Sequence, residues 1–377
     1  MSALTGLNTP AAIIDVPRMQ RNIARMQEKM DTMHVNFRPH VKTSKSEPVT
    51  AMQLAAGARG ITVSTLLEAE HFFAAGTTDI LYAVGMVGSK LAQAMALRRR
   101  GCDLKIITDS LASAEIIVRF GKQHDMRFEV WIEIDSDGHR SGIRPELATL
   151  LDVGRHLHEG GMLLGGVMTH AGSSYDLDDQ NKLIAIAEQE RKACVVAAER
   201  LRAAGLPCAA VSIGSTPTAL SAQSFDGVTE VRAGVYVFFD LVMHNIGVCS
   251  MDEVALSVLT TVIGHQQDKG WAIVDAGWMA MSRDRGTQKQ KQDFGYGQVC
   301  DVRGTPIAGY VLSGANQEHG ILSLRDGVDG DIASRFPIGT QLRILPNHAC
   351  ATGAQYPQYQ ALSGDGGLVP WPRLHGW

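Results

Sequence analysis

Between Phe37 and about Arg232 the chain alternates, over and over, between a short apolar run and a longer stretch of helical composition. The runs are "FRPHVK", "GITVST", "DILYAV", "LKIITD", "FEVWIEID", "LLGGVMTH", "AAVSIGS" and "VTEVRAG". Between them lie segments such as "SKLAQAMALRRRG" and "NKLIAIAEQERKACVVAAERLRAAG", rich in Ala, Leu, Glu and Arg with apolar residues at helical spacing. Continuous apolar runs that alternate with helices are the pattern of parallel strands buried on both faces. Eight of them in about 200 residues predict a (β/α)8 TIM barrel of the α/β class.

After about Asn245 the texture changes. "VALSVLTTVIGHQ", "GWAIVDAG", "GYVLSG", "HGILSL" and "TQLRILPNH" are strand-like and are joined by Gly, Asp and Asn turns without long helices. A second, mostly antiparallel β-domain is expected there, with the N-terminal "TPAAIID" pairing into it. The expected division is a barrel over 16–245 and a β-domain over 246–377 together with 1–15. A chain of 377 residues is long enough for two cores.

The formal net charge of -4 leaves no electrostatic footprint for nucleic acid. The run Arg98-Arg99-Arg100 ahead of Gly101 fits the C-terminus of a helix, where cations meet the negative end of the dipole. No window approaches the roughly 18 uninterrupted apolar residues of a membrane span, and the N-terminus has no signal-like charged and apolar regions. The six cysteines are scattered without a CxxC pair. They read as free thiols in a reducing compartment, which predicts a cytoplasmic protein.

In such a barrel the chemistry collects at the C-terminal ends of the strands. Lys42 ends the first run, Arg140 follows the fifth, His170 ends the sixth, and Gly214, Ser215 and Thr216 form a turn after the seventh, with Tyr236 beyond the eighth. Singly, Arg140 could be a loop charge, His170 a satisfied strand-end histidine and "GSTPT" a capped turn. Together they suggest a site. A Gly-Ser-Thr turn after strand seven offers backbone N–H groups where barrels commonly hold phosphate. A phosphate-bearing cofactor and an inward lysine point to pyridoxal 5'-phosphate. His348 and Cys350 stand two apart in a strand-like segment, so both side chains would project from one face as an imidazole and a thiolate for a divalent metal. Alone, an H-x-C is a weak signal.

Nearly the whole chain, through "RPHVKTSK", "GITVST", "EIDSDGHRSG", "THAGSSYD", "SIGSTPT", "TEVRAGVYVFFD", "NQEHG" and "PNHACAT", resembles the fold-type III pyridoxal-phosphate enzymes. This is the alanine racemase-like group, and within it the D-threonine aldolase and eukaryotic-type D-serine dehydratase family. The resemblance implies that Lys42 carries the cofactor, Arg140 approaches the phenolic-oxygen side of its ring and His170 faces that ring. It adds Tyr175 to the cofactor set and gives the phosphate end to Gly214, Ser215, Thr216 and Tyr236. His348 and Cys350 become the metal pair, zinc first, with manganese, cobalt or magnesium as alternatives.

Aldolases of the group resemble this pattern with aspartate in place of the cysteine, so Cys350 favours the dehydratase branch. The implied reaction is dehydration of a D-3-hydroxyamino acid to a 2-oxo acid and ammonia. D-threo-3-hydroxyaspartate is the first substrate and D-serine a related one. The catalytic set is Lys42, His348 and Cys350. A D-serine dehydratase proper, aldol cleavage of D-threonine or 3-hydroxy-D-aspartate to glycine and, more remotely, a non-catalytic cofactor-binding protein remain as alternatives, and a homodimer is implied. Arg283, Arg285 or His319 could meet a substrate β-carboxylate.

Overall fold

The structure is a computed structural model and describes residues 3–377. Met1 and Ser2, which the expected β-domain included, lie outside the described residues. By contact the chain divides into two compact units. One is Arg25–Gly234 with Gly376–Trp377; the other is the chain up to Ala24 with Val235–His375. The expected divisions were at 15/16 and 245/246.

The first unit contains eight parallel strands: Asn36–Pro39, Ile61–Val63, Asp79–Gly85, Asp103–Thr108, Glu129–Ile134, Leu163–Thr169, Ala210–Ile213 and Glu230–Ala233. From the second to the eighth each pairs with its sequence neighbour, and the first pairs with the eighth. A parallel bridge between His40 and Thr62 joins the first strand to the second, which nearly closes the ring. All eight sequence runs therefore became strands of a TIM-like barrel. The reason is burial: Ile61–Val63 and Glu230–Ala233 are buried at every position, and the polar side chains among them are met inside, Glu230 by Arg38 and Arg232 by Ser212.

Side-chain caps start several of the intervening helices. Thr65 accepts from the amide of Glu68, and Asp179 from that of Lys182. The helix Leu91–Arg99 carries Arg98 and Arg99 in its last turn and gives way to Gly101 at φ +96°, as the basic run indicated. Not all of the barrel interior is apolar. Arg38 forks onto Asp79 at 2.8 and 3.0 Å and reaches Glu230 at 2.9 Å, and Lys105 adds a 2.6 Å contact to Asp79.

The second unit is a nine-stranded sheet. Its order is Trp271–Val274, Gly320–Leu324, Pro306–Ala315, Gln298–Cys300, Gln341–Leu345, Leu256–Gln266, Ala11–Asp15, Gln358–Leu362 and Leu368–Pro372. Trp271–Val274 also pairs with Leu256–Gln266, so six of the strands close on themselves. Ala11–Asp15 does join this sheet, antiparallel to Leu256–Gln266 and parallel to Gln358–Leu362.

One expectation fails. His348 and Cys350 are not on a strand: the strand stops at Leu345, Pro346 has no amide to continue the ladder, and His348 is the N-cap of the short helix Ala349–Gly353.

Candidate active site

Two groups of residues carry the chemistry, one in each unit. At the barrel mouth the first strand runs through His40 into a turn. Of the two lysines there, Lys45 is paired with the buried carboxylate of Glu68 at 3.0 Å, which makes it structural. Lys42 is exposed on the turn itself. Its amide donates to His40 Nδ1 at 3.5 Å, and the other ring nitrogen of His40 lies 3.5 Å from Ser64 Oγ.

His170 follows the sixth strand. Its Nδ1 is 2.9 Å from the carbonyl oxygen of Gly214. A carbonyl can only accept, so Nδ1 carries the proton and Nε2 keeps its lone pair. Burial pushes this ring down to about 3, and the charges of Lys42, Arg140 and Arg232 add to the effect against the hydrogen bond to Gly214. His40 is driven well down by burial, with Lys42, Arg232, His170 and Arg140 contributing. Both imidazoles are neutral at pH 7.

The turn after the seventh strand is built for close approach. Gly214 has φ +127°, and a Cβ there would lie 2.3 Å from the carbonyl oxygen of Arg232. Ser215 and Thr218 form a reciprocal capping box at 2.9 and 3.2 Å, and Ser215 Oγ also meets Ser174 Oγ at 2.8 Å. The amide of Ser215 is thus spent inside the turn, which it shapes, and Thr216 is fully buried at the start of the helix Thr216–Ser221. Arg140 sits exposed in the irregular loop after the fifth strand. The Tyr175 ring lies 6.0 Å from that of His170. Tyr236 belongs by contact to the other unit, where it is buried in the helical turn Val235–Val237.

Two contributors escaped the sequence reading. Arg232, 4% exposed, donates Nε–H to Ser212 Oγ at 2.8 Å and bonds the carbonyl of Thr169. Glu190, 1% exposed, accepts the amide of Ala171 at 2.7 Å. A glycine turn with no room for a side chain, an exposed lysine two strands away at the same end of the barrel and two neutral imidazoles between them fit pyridoxal phosphate.

In the second unit His348 Nδ1 lies 2.6 Å from Asp284 Oδ2, and the ring also hydrogen-bonds Cys350. Burial works against a charged imidazole here, but the bonds to Asp284 and Cys350 and the charge of Asp240 outweigh it and push the ring up to about 11. Asp284 is held below the usual carboxylate range by its bond to His348. Asp240, 1% exposed, accepts the amides of Met243 at 3.0 Å and Ala349 at 2.9 Å, which orients the turn that bears both side chains.

With Asp284 on Nδ1, the bond to Cys350 falls to Nε2, so a metal there would take the place of the proton that the ring shares with the thiol. Among the described residues no group of three or more His, Cys, Asp and Glu is arranged to hold a metal ion, so this donor set is a pair. Arg285 is paired with Asp293 at 2.8 Å, Arg283 stacks on Trp278, and His319 is exposed beside the turn whose Asn316 accepts from Trp278.

Residues 14–242 match the model of the alanine racemase N-terminal domain, and residues 255–362 match the putative serine dehydratase domain. A D-threo-3-hydroxyaspartate dehydratase from Delftia sp. (strain HT23) is 70% identical over 99% of each chain. Its solved structure superposes with a TM-score of 0.99 and 70% identity over 100% of both chains. A cysteine-to-alanine mutant of a D-threo-3-hydroxyaspartate dehydratase in the metal-free form superposes at 0.98 with 69% identity, again over 100% of both chains. A D-serine dehydratase from Dictyostelium discoideum is 27% identical over 97% of this chain and 96% of its own. Barrel and β-domain together place the chain in the pyridoxal-phosphate-dependent alanine racemase-like family, in the branch that carries the serine dehydratase domain.

Proposed function

We propose that the protein is a pyridoxal-phosphate- and divalent-metal-dependent dehydratase that converts D-threo-3-hydroxyaspartate to oxaloacetate and ammonia, with D-serine as a lesser substrate. The observation that carries this reading is the contact of His348 with Cys350 while Asp284 occupies Nδ1. It is a soft, two-ligand set with no evident use in racemisation. In support, a cysteine mutant of a D-threo-3-hydroxyaspartate dehydratase was solved in the metal-free form. The 70% identity supports the choice of substrate.

When bound, the cofactor supplies an electron sink for charge at Cα and the metal supplies Lewis acidity for the β-hydroxyl, a poor leaving group. Lys42 is the amine that holds the cofactor and the base that takes the α-proton. Gly214 to Thr216 receive the phosphate on a turn that Ser215 and Thr218 brace. His170 keeps a neutral ring, proton on Nδ1, so it brings no added charge to the cofactor. Arg140, Tyr175 and Tyr236 complete the proposed cofactor contacts. Asp284 orients His348, whose Nε2 joins Cys350 as ligand; this pair suits zinc, and two ligands leave positions open to water and substrate. Loss of the hydroxyl leaves an enamine, which water converts to the 2-oxo acid and ammonia.

A homodimer in a compartment that keeps the six thiols reduced belongs to the same proposal. The test is incubation of the loaded protein with D-threo-3-hydroxyaspartate, D-serine and D-threonine, followed by assay of ammonia, 2-oxo acid and glycine. Oxaloacetate and ammonia from the first substrate are expected. Glycine as the main product would replace the dehydratase reading with an aldolase.

A further inference from the structure

We infer that Glu190 is a positioning residue: its carboxyl ties the loop after the sixth barrel strand to the turn after the seventh and so fixes the Gly214 peptide on which the phosphate turn is built. The inference rests on the reading that pyridoxal phosphate binds at this mouth.

Glu190 lies on the helix Gln180–Ala203, whose buried side is Leu183, Ala187, Glu190, Cys194, Ala197, Ala198 and Leu201. Every other member is small or apolar. A carboxyl in that row costs free energy unless its oxygens are met by donors. The amide of Ala171 donates to it at 2.7 Å, and the amide of Gly214 and the side chain of Thr218 lie close enough to favour its charged form. These donors come from two different loops. Ala171 directly follows His170, and Thr218 is the capping-box partner of Ser215.

The Gly214 peptide is consequently gripped from both ends. Its N–H faces Glu190, and its carbonyl accepts the Nδ1–H of His170 at 2.9 Å. The glycine has φ +127° and no space on its Cβ side, so it packs directly on the Arg232 backbone. Without the Glu190 acceptor the Gly214 amide and the Ala171 amide would each lose a partner in a buried place, and the peptide would be free to rotate. The phosphate turn and the tautomer of His170 would then lose their common anchor. Glutamine cannot take over the role, since it offers one acceptor oxygen and turns an NH2 donor toward N–H groups.

The test compares wild type, Glu190→Gln and Thr218→Val as cofactor-free proteins, measuring the Kd for pyridoxal phosphate by fluorescence quenching and the melting temperature without cofactor. The expected result for Glu190→Gln is a Kd raised about tenfold or more when each protein is measured equally far below its own melting temperature. Thr218→Val should move the Kd in the same direction. An unchanged Kd in Glu190→Gln would overturn the inference. So would a Kd that returns to the wild-type value once the two proteins are compared equally far below their melting temperatures, because that is the mark of a merely structural carboxyl. If wild type itself takes up no pyridoxal phosphate, the reading of the barrel mouth fails first and the inference falls with it.

Discussion

Asp284 accepts from His348 Nδ1 at 2.6 Å while Cys350 bonds the same ring, so one imidazole sits between a carboxylate and a thiol. A ligand histidine held through its second nitrogen is fixed in tautomer and orientation. Asp284→Asn should therefore weaken metal binding by about 10- to 100-fold and leave cofactor uptake at the wild-type level. Titration of metal into the chelator-treated protein checks this. Equal metal affinity in variant and wild type would remove Asp284 from the site.

Lys42→Ala should abolish the borohydride-trapped attachment of cofactor to the chain, and turnover should fall by orders of magnitude. Lys45, tied to Glu68 at 3.0 Å, is not available as a substitute. Mass spectrometry of the reduced protein decides: cofactor still attached in the variant would mean that another lysine carries it.

Gly214→Ala places a Cβ 2.3 Å from the Arg232 carbonyl oxygen at a φ of +127°. Backbone strain of this kind costs on the order of 1–3 kcal/mol. The turn should relax away from Arg232, with weaker cofactor binding and a lower melting temperature for the cofactor-free protein. Wild-type values for both would show that the turn tolerates the methyl group and is not the close-fitting cradle described above.

Burial pushes the carboxyl of Glu190 up to about 7 from 4.5, against the bonds it accepts from Thr218, Ala171 and Gly214 and the charge of Arg232. Facing it are Arg232 on the eighth strand and Cys194 on its own helix. A folded-state value above the unfolded one means that the native protein holds the proton more tightly. That contribution is fully present below pH 4.5 and is lost as pH rises through about 7. Relative to Glu190→Gln, the cofactor-free wild type should lose up to about 3 kcal/mol between pH 4.5 and 8. Urea unfolding at pH 5 and pH 8 measures it. The same stability difference at both pH values would count against a neutral carboxyl at low pH.

The barrel was legible because parallel strands buried on both faces leave unbroken apolar runs, and eight of those are hard to arrange otherwise. The β-domain was only partly so. Gln298–Cys300 is three residues long, Gln358–Leu362 alternates polar and apolar residues too briefly, and Leu368–Pro372 contains two prolines on an edge strand, where a missing amide costs little. "TQLRILPNH" looked like one strand because apolar alternation runs up to the proline that ends it.

Site residues on strand ends could be read from their position. Those that act through another residue could not. Asp284 sits inside "SRDRG", a segment singled out for its arginines. Glu190 is one glutamate among several on a long charged helix. Its only signal was its place seven residues after Leu183 in an otherwise apolar row.

The most diagnostic prediction separates the two groups of residues by the step each serves. Holding the cofactor and removing the α-proton need Lys42 and the barrel mouth. Expelling hydroxide needs a Lewis acid, and only His348 and Cys350 are proposed to hold one. Treatment with a chelator, His348→Ala or Cys350→Ala should leave cofactor absorbance in place while ammonia release from D-threo-3-hydroxyaspartate falls by orders of magnitude. Exchange of the α-proton into deuterated solvent should survive better than elimination, since it precedes loss of the hydroxyl. Parallel loss of exchange and elimination would mean that the pair supports the whole site and not one step. Full dehydratase activity in exhaustively demetallated protein, or in a Cys350→Ala variant with unchanged metal content, would end the metal-assisted mechanism. The contact between His348 and Cys350 would then be structural, an imidazole packed between Asp284 and a thiol.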